Sequence, residues 1–468
     1  MLHLAHQLAR RRGAWGRTPA AARLLLASCL MLLLGMGLLV SGRVAAQTPA
    51  SASNEEGIRI ATRLLDHLDA GEYAQAEAMF TPEMAKAVPA DKLKAVWESL
   101  PGQVGKATGR GAMQASAQGG STLVLVPLHY QNAELVARVA ISAEGKIEGF
   151  LIQPAQAAPP PSPAVSTDAP FTERGVMVGT GERALPATLS LPKGNGPFPA
   201  VVLVHGSGPQ DRDETIGANR PFLDIARGLA AQGIAALRYD KRTKARPQDY
   251  ANGDVNIDNE TTDDAVAALA TLRAQPGIDP ARVFVLGHSQ GGMMAPRIAM
   301  QDGKTAGLIL LAAPARNLLD ILMEQNVRLL GMQGVQDTPE GIAYLDKMKN
   351  QIANVRGAGD AAIGTPLGLP VAYWRSVDGV DPVAEARKAG EPMLILHGGH
   401  DIQVVDADWQ AWQAAFGNDQ DVTMKRYPTL NHLAIESEAG AGLESYQKPG
   451  HVDAALIDDI ARWIKAGP

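Results

Sequence analysis

Arg282-Val283-Phe284-Val285-Leu286-Gly287-His288-Ser289-Gln290-Gly291-Gly292 is an apolar β-type run that ends at a glycine-flanked serine and passes into a helical pattern from Met293 to Met300. A short run that is apolar on both faces suits a strand buried inside a parallel sheet. The pentapeptide Gly287 to Gly291 is a G-x-S-x-G turn. A serine on so tight a strand-to-helix turn crowds its neighbours, so small residues are needed two before and two after it. Such a turn lifts the Ser289 hydroxyl above the sheet edge, beside a helix N-terminus that favours developing negative charge. The chain holds 48 glycines in 468 residues, so the pentapeptide alone is weak. Its strand, turn and helix context gives it meaning.

Working outward, the same alternation recurs. Apolar strand runs are expected at Phe198 to His205, Ile234 to Tyr239, Val283 to Leu286, Leu308 to Ala312, Met393 to His397 and Val422 to Tyr427. Helical patterns at 221–232, 261–274, 291–301, 406–416 and 452–465 lie between or after them, and two further strand runs, Gly175 to Val178 and Leu185 to Leu191, come before. The expected fold class is α/β: a doubly wound, mostly parallel sheet with its chemistry at the carboxyl ends of the strands.

A serine nucleophile needs a base, and the base needs a carboxylate to hold its tautomer. If the base follows the acid in chain order, only His432 and His451 come late enough. His432 lies in the loop between the last strand and the last helix, whereas His451 abuts the final helix, where capping or solvation is the default role. For the acid, Leu394 to Leu396 leads through His397-Gly398-Gly399-His400 to Asp401. Asp406 and Asp408 fall on the following helix and read as its N-terminal charges. The oxyanion hole needs two backbone donors: the N–H of Gln290, and one from the turn His205-Gly206-Ser207-Gly208, assigned to Ser207 with Gly206 as the rival. The expected site is therefore Ser289, Asp401 and His432, with Gln290 and Ser207, and no cofactor or metal.

From about residue 172 the chain resembles the α/β-hydrolase superfamily, most nearly bacterial dienelactone-hydrolase-like and serine-aminopeptidase-like esterases. The elbow, oxyanion turn, acid and histidine carry the resemblance in order, and "HGSGPQDRDE" and "LRYDKR" are similar to signatures of the secreted esterase subgroup. It implies acyl transfer by a serine hydrolase. Dienelactone hydrolases proper use cysteine where this chain has Ser289, so their substrate is not carried over. Asp211, Arg212, Asp213 and Glu214 are read either as solvated loop charges or as a binding-site rim.

About 80 residues, 313–391, separate the strand ending at Ala312 from the one beginning at Met393, too long for a crossover. Ile321, Leu329, Leu330, Met348, Tyr373 and Trp374 make it an apolar helical insertion. It reads as a lid over the site or as a segment packed on the body.

Upstream, 55–101 is helical in pattern, with Ile58, Ala61, Leu64, Leu65 and Leu68 on one face. Runs at Leu123 to Leu128, Leu135 to Ile141 and Ile147 to Ile152 then predict a three-stranded antiparallel meander. Residues 52–153 thus read as a small α+β domain. It resembles the domain of unknown function found before secreted bacterial hydrolases, similar to the nuclear-transport-factor-like cone fold, and implies no catalytic residues. Pro154 to Pro170 has six prolines and reads as a spacer before a hydrolase domain at 171–468.

Residues 1–46 carry six arginines, no lysine and no acidic residue around an apolar core from Leu24 to Val40, ending in Val44-Ala45-Ala46. That predicts a cleaved secretory signal and a periplasmic or secreted enzyme. The 17-residue apolar core borders on spanning length, so an uncleaved anchor, and with it membrane attachment, is the alternative. Cys29 is the only cysteine, and cleavage would leave none for disulfides, thiolate metal sites or a cysteine nucleophile. Cleavage also leaves 37 basic residues against 49 acidic ones, a surface unsuited to nucleic acid. The expected partner is a small ester, or a short acyl or peptide substrate in the aminopeptidase alternative; a binding protein with a remnant triad is the alternative from outside enzymology. Oligomeric state is not legible.

Overall fold

The computed structural model describes residues 50–118, 121–155, 162–250, 253–359 and 363–467. The expected secretory leader and Cys29 lie outside the described residues, as does part of the expected spacer. Contacts divide the described residues into two units, one holding Thr167–Lys241 with Asn256 onward, the other the described residues up to Ser166 together with Arg242–Val255.

In the smaller unit, helix α1 (Ala50–Asp69) is followed by α2 (Tyr73–Ala78), α3 (Pro82–Ala87) and α4 (Ala90–Val104). Its apolar stripe of Ile60, Ala61, Leu64, Leu65 and Leu68 is buried against alternate residues of the sheet, among them Val124, Val126, Val139 and Ile141. The sheet has five strands where three were expected: β1 (Ala107–Arg110) and β2 (Gln114–Gln118) join β3 (Ser121–Tyr130), β4 (Glu134–Ile141) and β5 (Ile147–Pro154), all antiparallel. The two additional strands read Ala-Thr-Gly-Arg and Gln-Ala-Ser-Ala-Gln, too polar to carry an alternation signal. His67 and His129, candidates for nothing more than structure, each pair with a nearby glutamate, Glu72 and Glu134.

The larger unit is built on an eight-stranded sheet. Strands β6 (Phe171–Val178) and β7 (Leu185–Pro192) form an antiparallel hairpin, and β7 pairs antiparallel with β9. The rest is parallel: β8 (Phe198–Val204), β9 (Ala235–Tyr239), β10 (Ile278–His288), β11 (Leu308–Leu311), β12 (Met393–Gly398) and β13 (Val422–Tyr427), in the order β13-β12-β11-β10-β8-β9-β7-β6. The central parallel strands β8, β11 and β12 are continuous apolar runs because helices cover both faces, whereas the edge strand β13, Val-Thr-Met-Lys-Arg-Tyr, is largely polar and exposed. On one side α5 (Pro221–Ala231) and the last helix, Ala454–Ala466, bury Phe222, Ile225, Leu229, Ile457, Ile460 and Ile464 against Leu203, Leu286 and Leu396. Helices α6 (Asp263–Arg273) and α7 (Gln290–Asp302) also pack on the sheet, α7 directly after the elbow. The insertion after β11 folds into α8 (Leu318–Met332), α9 (Pro339–Val355), α10 (Val371–Asp378) and α11 (Pro382–Ala389), and α12 (Asp406–Phe416) follows β12. The larger unit is thus a doubly wound α/β sheet with a helical insertion, and the smaller unit is a separate α+β domain.

Candidate active site

The residues of interest all follow carboxyl ends of parallel strands: Ser207 after β8, Ser289 after β10, Asp401 after β12 and His432 after β13. Ser289 sits at φ 53°, ψ −121°, a region open to a non-glycine residue only when its surroundings enforce it. Those surroundings are glycines. A Cβ on Gly287 would lie 2.2 Å from the Gly291 carbonyl oxygen, and one on Gly291 would lie 2.2 Å from that of Val204. The turn is held by Ser289 N–H donating to Leu311 O at 2.9 Å and by Met293 N–H donating to Ser289 O at 3.0 Å.

Asp401 and His432 meet. His432 Nδ1 donates to Asp401 Oδ2 at 2.8 Å, which leaves Nε2 as the proton acceptor. The other carboxylate oxygen, Oδ1, accepts the N–H groups of Gln403 and Val404 at 2.8 and 2.9 Å, so the acid cannot swing away. Both residues are buried. The approach of their two loops needs bare backbone: a Cβ on Gly398 would fall 2.3 Å from Leu430 O, and one on Gly399 would fall 2.4 Å from Pro428 O. The histidine loop is clamped by Asn431, whose Oδ1 accepts Leu433 and Ile435 N–H.

The rival residues lie elsewhere. His451 is exposed beside Asp224, and His400 points its Nδ1 at Ser437 O. Asp406 does start helix α12, but Asp408, expected as a helix-start charge, is fully buried; it accepts Ala315 N–H and the Arg316 side chain, tying the turn after β11 to α12. The reading of residues 211–214 as solvated charges is also corrected. Asp213 is buried against Arg238, and Glu214 has no exposed surface. Their partners are far away in sequence, which is why a local reading sees only a charged loop.

Glu214 reaches into the site. Its Oε1 accepts Gly206 N–H at 2.7 Å, and its Oε2 lies 3.0 Å from His288 Nδ1, a charge contact without hydrogen-bond alignment. His288 Nε2 donates to His432 O at 2.9 Å, and the two rings sit 4.7 Å apart. The carbonyl accepts the Nε2 proton, and the carboxylate beside Nδ1 favours the charged form of the ring. Burial is the strongest single influence and opposes a charge on His288, but the Glu214 carboxylate, His432 O and Asp401 together raise its pKa; the Glu214 pKa is lowered, against its own burial, by His288, His205 and the Gly206 amide. The residue before Ser289 therefore holds the loop of His432 and, through Glu214, the turn that carries Gly206 and Ser207.

Gly206 is gripped twice. Lys241 Nζ donates to its carbonyl oxygen at 2.9 Å and pairs with Glu260 Oε1 at 2.7 Å, both side chains buried. Of the two rivals in this turn, Gly206 has its N–H taken by Glu214, whereas the N–H of Ser207, like that of Gln290, has no acceptor among the described residues. Sequence reasoning gave no role to His288, Lys241 and Glu260, and read Glu214 only as a solvated charge or a rim residue; the local signals were the runs "HGSGPQDRDE" and "LRYDKR", which hold Glu214 and Lys241. Among the described residues no group of three or more His, Cys, Asp or Glu is arranged to hold a metal ion, and no helix is long and apolar enough to cross a membrane.

The family described as serine aminopeptidase, S33 matches residues 197–438, and the one described as a protein of unknown function, DUF3887, matches residues 61–150. The chain is 33% identical to the esterase EstD of Thermotoga maritima over 400 residues, which is 86% of this chain and 93% of that protein. It is 25% identical to a putative carboxymethylenebutenolidase of Methylorubrum extorquens over 46% of this chain and 77% of the other. Among solved structures, Est1E from Butyrivibrio proteoclasticus is 17% identical with a TM-score of 0.41, covering 62% of this chain and 99% of that one.

Proposed function

The chain belongs to the serine aminopeptidase S33 family of α/β-hydrolases, and on that premise we propose that it is a serine hydrolase of small carboxylic esters working through an acyl-enzyme. Ser289 Oγ attacks the carbonyl carbon as His432 Nε2 takes the hydroxyl proton, and Asp401 stabilises the imidazolium that forms. The negative charge gathers on the former carbonyl oxygen, facing the N–H groups of Gln290 and Ser207. Collapse breaks the ester C–O bond, and the departing alkoxide receives the proton from His432. A water then repeats the sequence on the acyl-serine, releasing the acid and restoring Ser289.

The observation that carries this reading is the 2.8 Å pairing of His432 with Asp401, two strands along the sheet from the strained turn that presents Ser289. The family description favours a second reading, release of N-terminal residues from short peptides. That chemistry asks for a buried carboxylate to receive the substrate ammonium. The buried carboxylates around the elbow are already matched, Glu214 by His288, Glu260 by Lys241 and Asp401 by His432. This supports the ester reading, as does the identity with a protein called an esterase.

The test is hydrolysis of short p-nitrophenyl esters beside aminoacyl p-nitroanilides by the full chain and its Ser289→Ala variant. Ester turnover lost in the variant is the expected result; preferred turnover of the anilides would transfer the assignment to the peptidase. The insertion at 313–391 is proposed as a lid that selects the acyl group. Residues 1–46 are proposed as a secretory leader, so the periplasmic protein should begin at Gln47 on N-terminal sequencing.

A further inference from the structure

We propose that Glu260, through Lys241, Gln290 and Tyr373, is the positioning residue of the oxyanion hole and links that hole to the inserted helices. The inference rests on the esterase reading above. Glu260 is buried and takes three donors. Its Oε1 faces Lys241 Nζ at 2.7 Å, and its Oε2 accepts Gln290 Nε2 at 2.9 Å and Tyr373 Oη at 3.1 Å.

Each donor leads to one part of the site. Lys241 passes its second hydrogen bond to Gly206 O. The peptide between Gly206 and Ser207 is planar and trans, so its carbonyl and its N–H point in opposite directions. Holding the carbonyl toward Lys241 turns Ser207 N–H the other way, and Gly206 stands directly against the nucleophile, where an added Cβ would be 3.2 Å from Ser289 Cβ. Gln290 supplies the second oxyanion N–H, and the same residue's side chain is tied to Glu260. One carboxylate thus sets the residue behind each donor. Tyr373, on α10 of the insertion, contributes the third contact, so a shift of that helix is felt at both donors.

A buried ion pair is poor evidence for stability, because well-packed apolar side chains often do as well or better. Lys241 and Glu260 are accounted for instead by what they hold. Removing pre-set donors from an oxyanion hole lowers the chemical step on the order of 10²–10³-fold, with little effect on ground-state binding.

The experiment uses the full chain and the variants Lys241→Met, Glu260→Gln and Tyr373→Phe, with kcat and KM on a p-nitrophenyl ester and the affinity for an alkylboronic acid, whose tetrahedral serine adduct places an oxygen in the hole. Expected is a fall in kcat of roughly 10²-fold or more for the first two variants and roughly 10-fold for Tyr373→Phe. KM should change little and boronate affinity should fall alongside kcat. A merely structural role would lower the folded fraction and leave kcat per folded molecule and boronate affinity as in wild type, which overturns the proposal. Tyr373→Phe deletes one hydroxyl and carries the test should Lys241→Met fail to fold. A Ser289→Ala chain with full ester turnover would remove the underlying reading; wild-type kcat in Lys241→Met, with Ser289→Ala inactive, would remove only this inference.

Discussion

Glu214 and His288, 74 positions apart in sequence, face each other at 3.0 Å, and each uses its remaining atoms on a different loop of the candidate site. His288 holds the carbonyl of His432 and Glu214 holds the amide of Gly206. The turns that carry Ser289, His432 and Ser207 are therefore one electrostatic unit. Replacing Glu214 by Gln removes the counter-charge, so the buried His288 ring gives up its extra proton and the paired charge is lost, which should cost about 1–3 kcal/mol in urea unfolding at neutral pH.

The same pair sets a pH window. His288 is raised above its ordinary value, so its contribution is complete below about pH 6.5 and is lost as pH rises through the folded value. Glu214 is lowered, so its contribution is present above the ordinary glutamate range and is lost as pH falls through the folded value. The stability difference between wild type and Glu214→Gln should peak between these limits and shrink on both sides. A difference independent of pH would show that the pair is not ionised.

His205 gives the opposite sign. It is wedged between Phe222 and Tyr239, neither ring nitrogen has a partner of hydrogen-bond geometry among the described residues, and burial, helped by the Lys241 ammonium against the pull of Glu214, pushes its pKa down to about 4. The unfolded chain then binds the proton first, and stability is lost as pH falls from about 6.5 towards 4. Wild type should lose up to about 3 kcal/mol over that range relative to His205→Leu, read from urea midpoints at each pH.

The chain's own pattern reveals the parts of the site that follow strands. Ser289, Asp401 and His432 each stand where an apolar run meets a glycine turn or a loop, and a sheet with parallel strands gathers such ends on one side. It does not reveal partners fixed only by tertiary pairing. Glu214 lies in a run of four charged residues and Asp408 in a helix start, and both patterns are usually solvated. Strands β1 and β2 escaped for the converse reason, since their edge positions bury too little to impose alternation.

Asp401→Asn tests the role of the acid apart from its role in the loop. The amide oxygen can still accept from Gln403 and Val404, so the turn survives, but an NH₂ group then faces His432 Nδ1. The imidazole answers by moving its proton to Nε2, where it cannot act as base. kcat on a p-nitrophenyl ester should fall about 10⁴-fold with near wild-type stability.

Gly398→Ala should reach a similar end by geometry alone. The added methyl would come 2.3 Å from Leu430 O and 2.9 Å from Asn431 O, so the histidine loop must back away from β12. That movement stretches the 2.8 Å bond between His432 and Asp401 without altering either residue. A misplacement of about 1 Å costs about 10² in rate, so kcat should drop at least that far. The loss should be weaker when combined with Asp401→Asn, because the bond it stretches is already gone. Fully multiplicative losses in the double variant would mean that Gly398 acts elsewhere than on this pair.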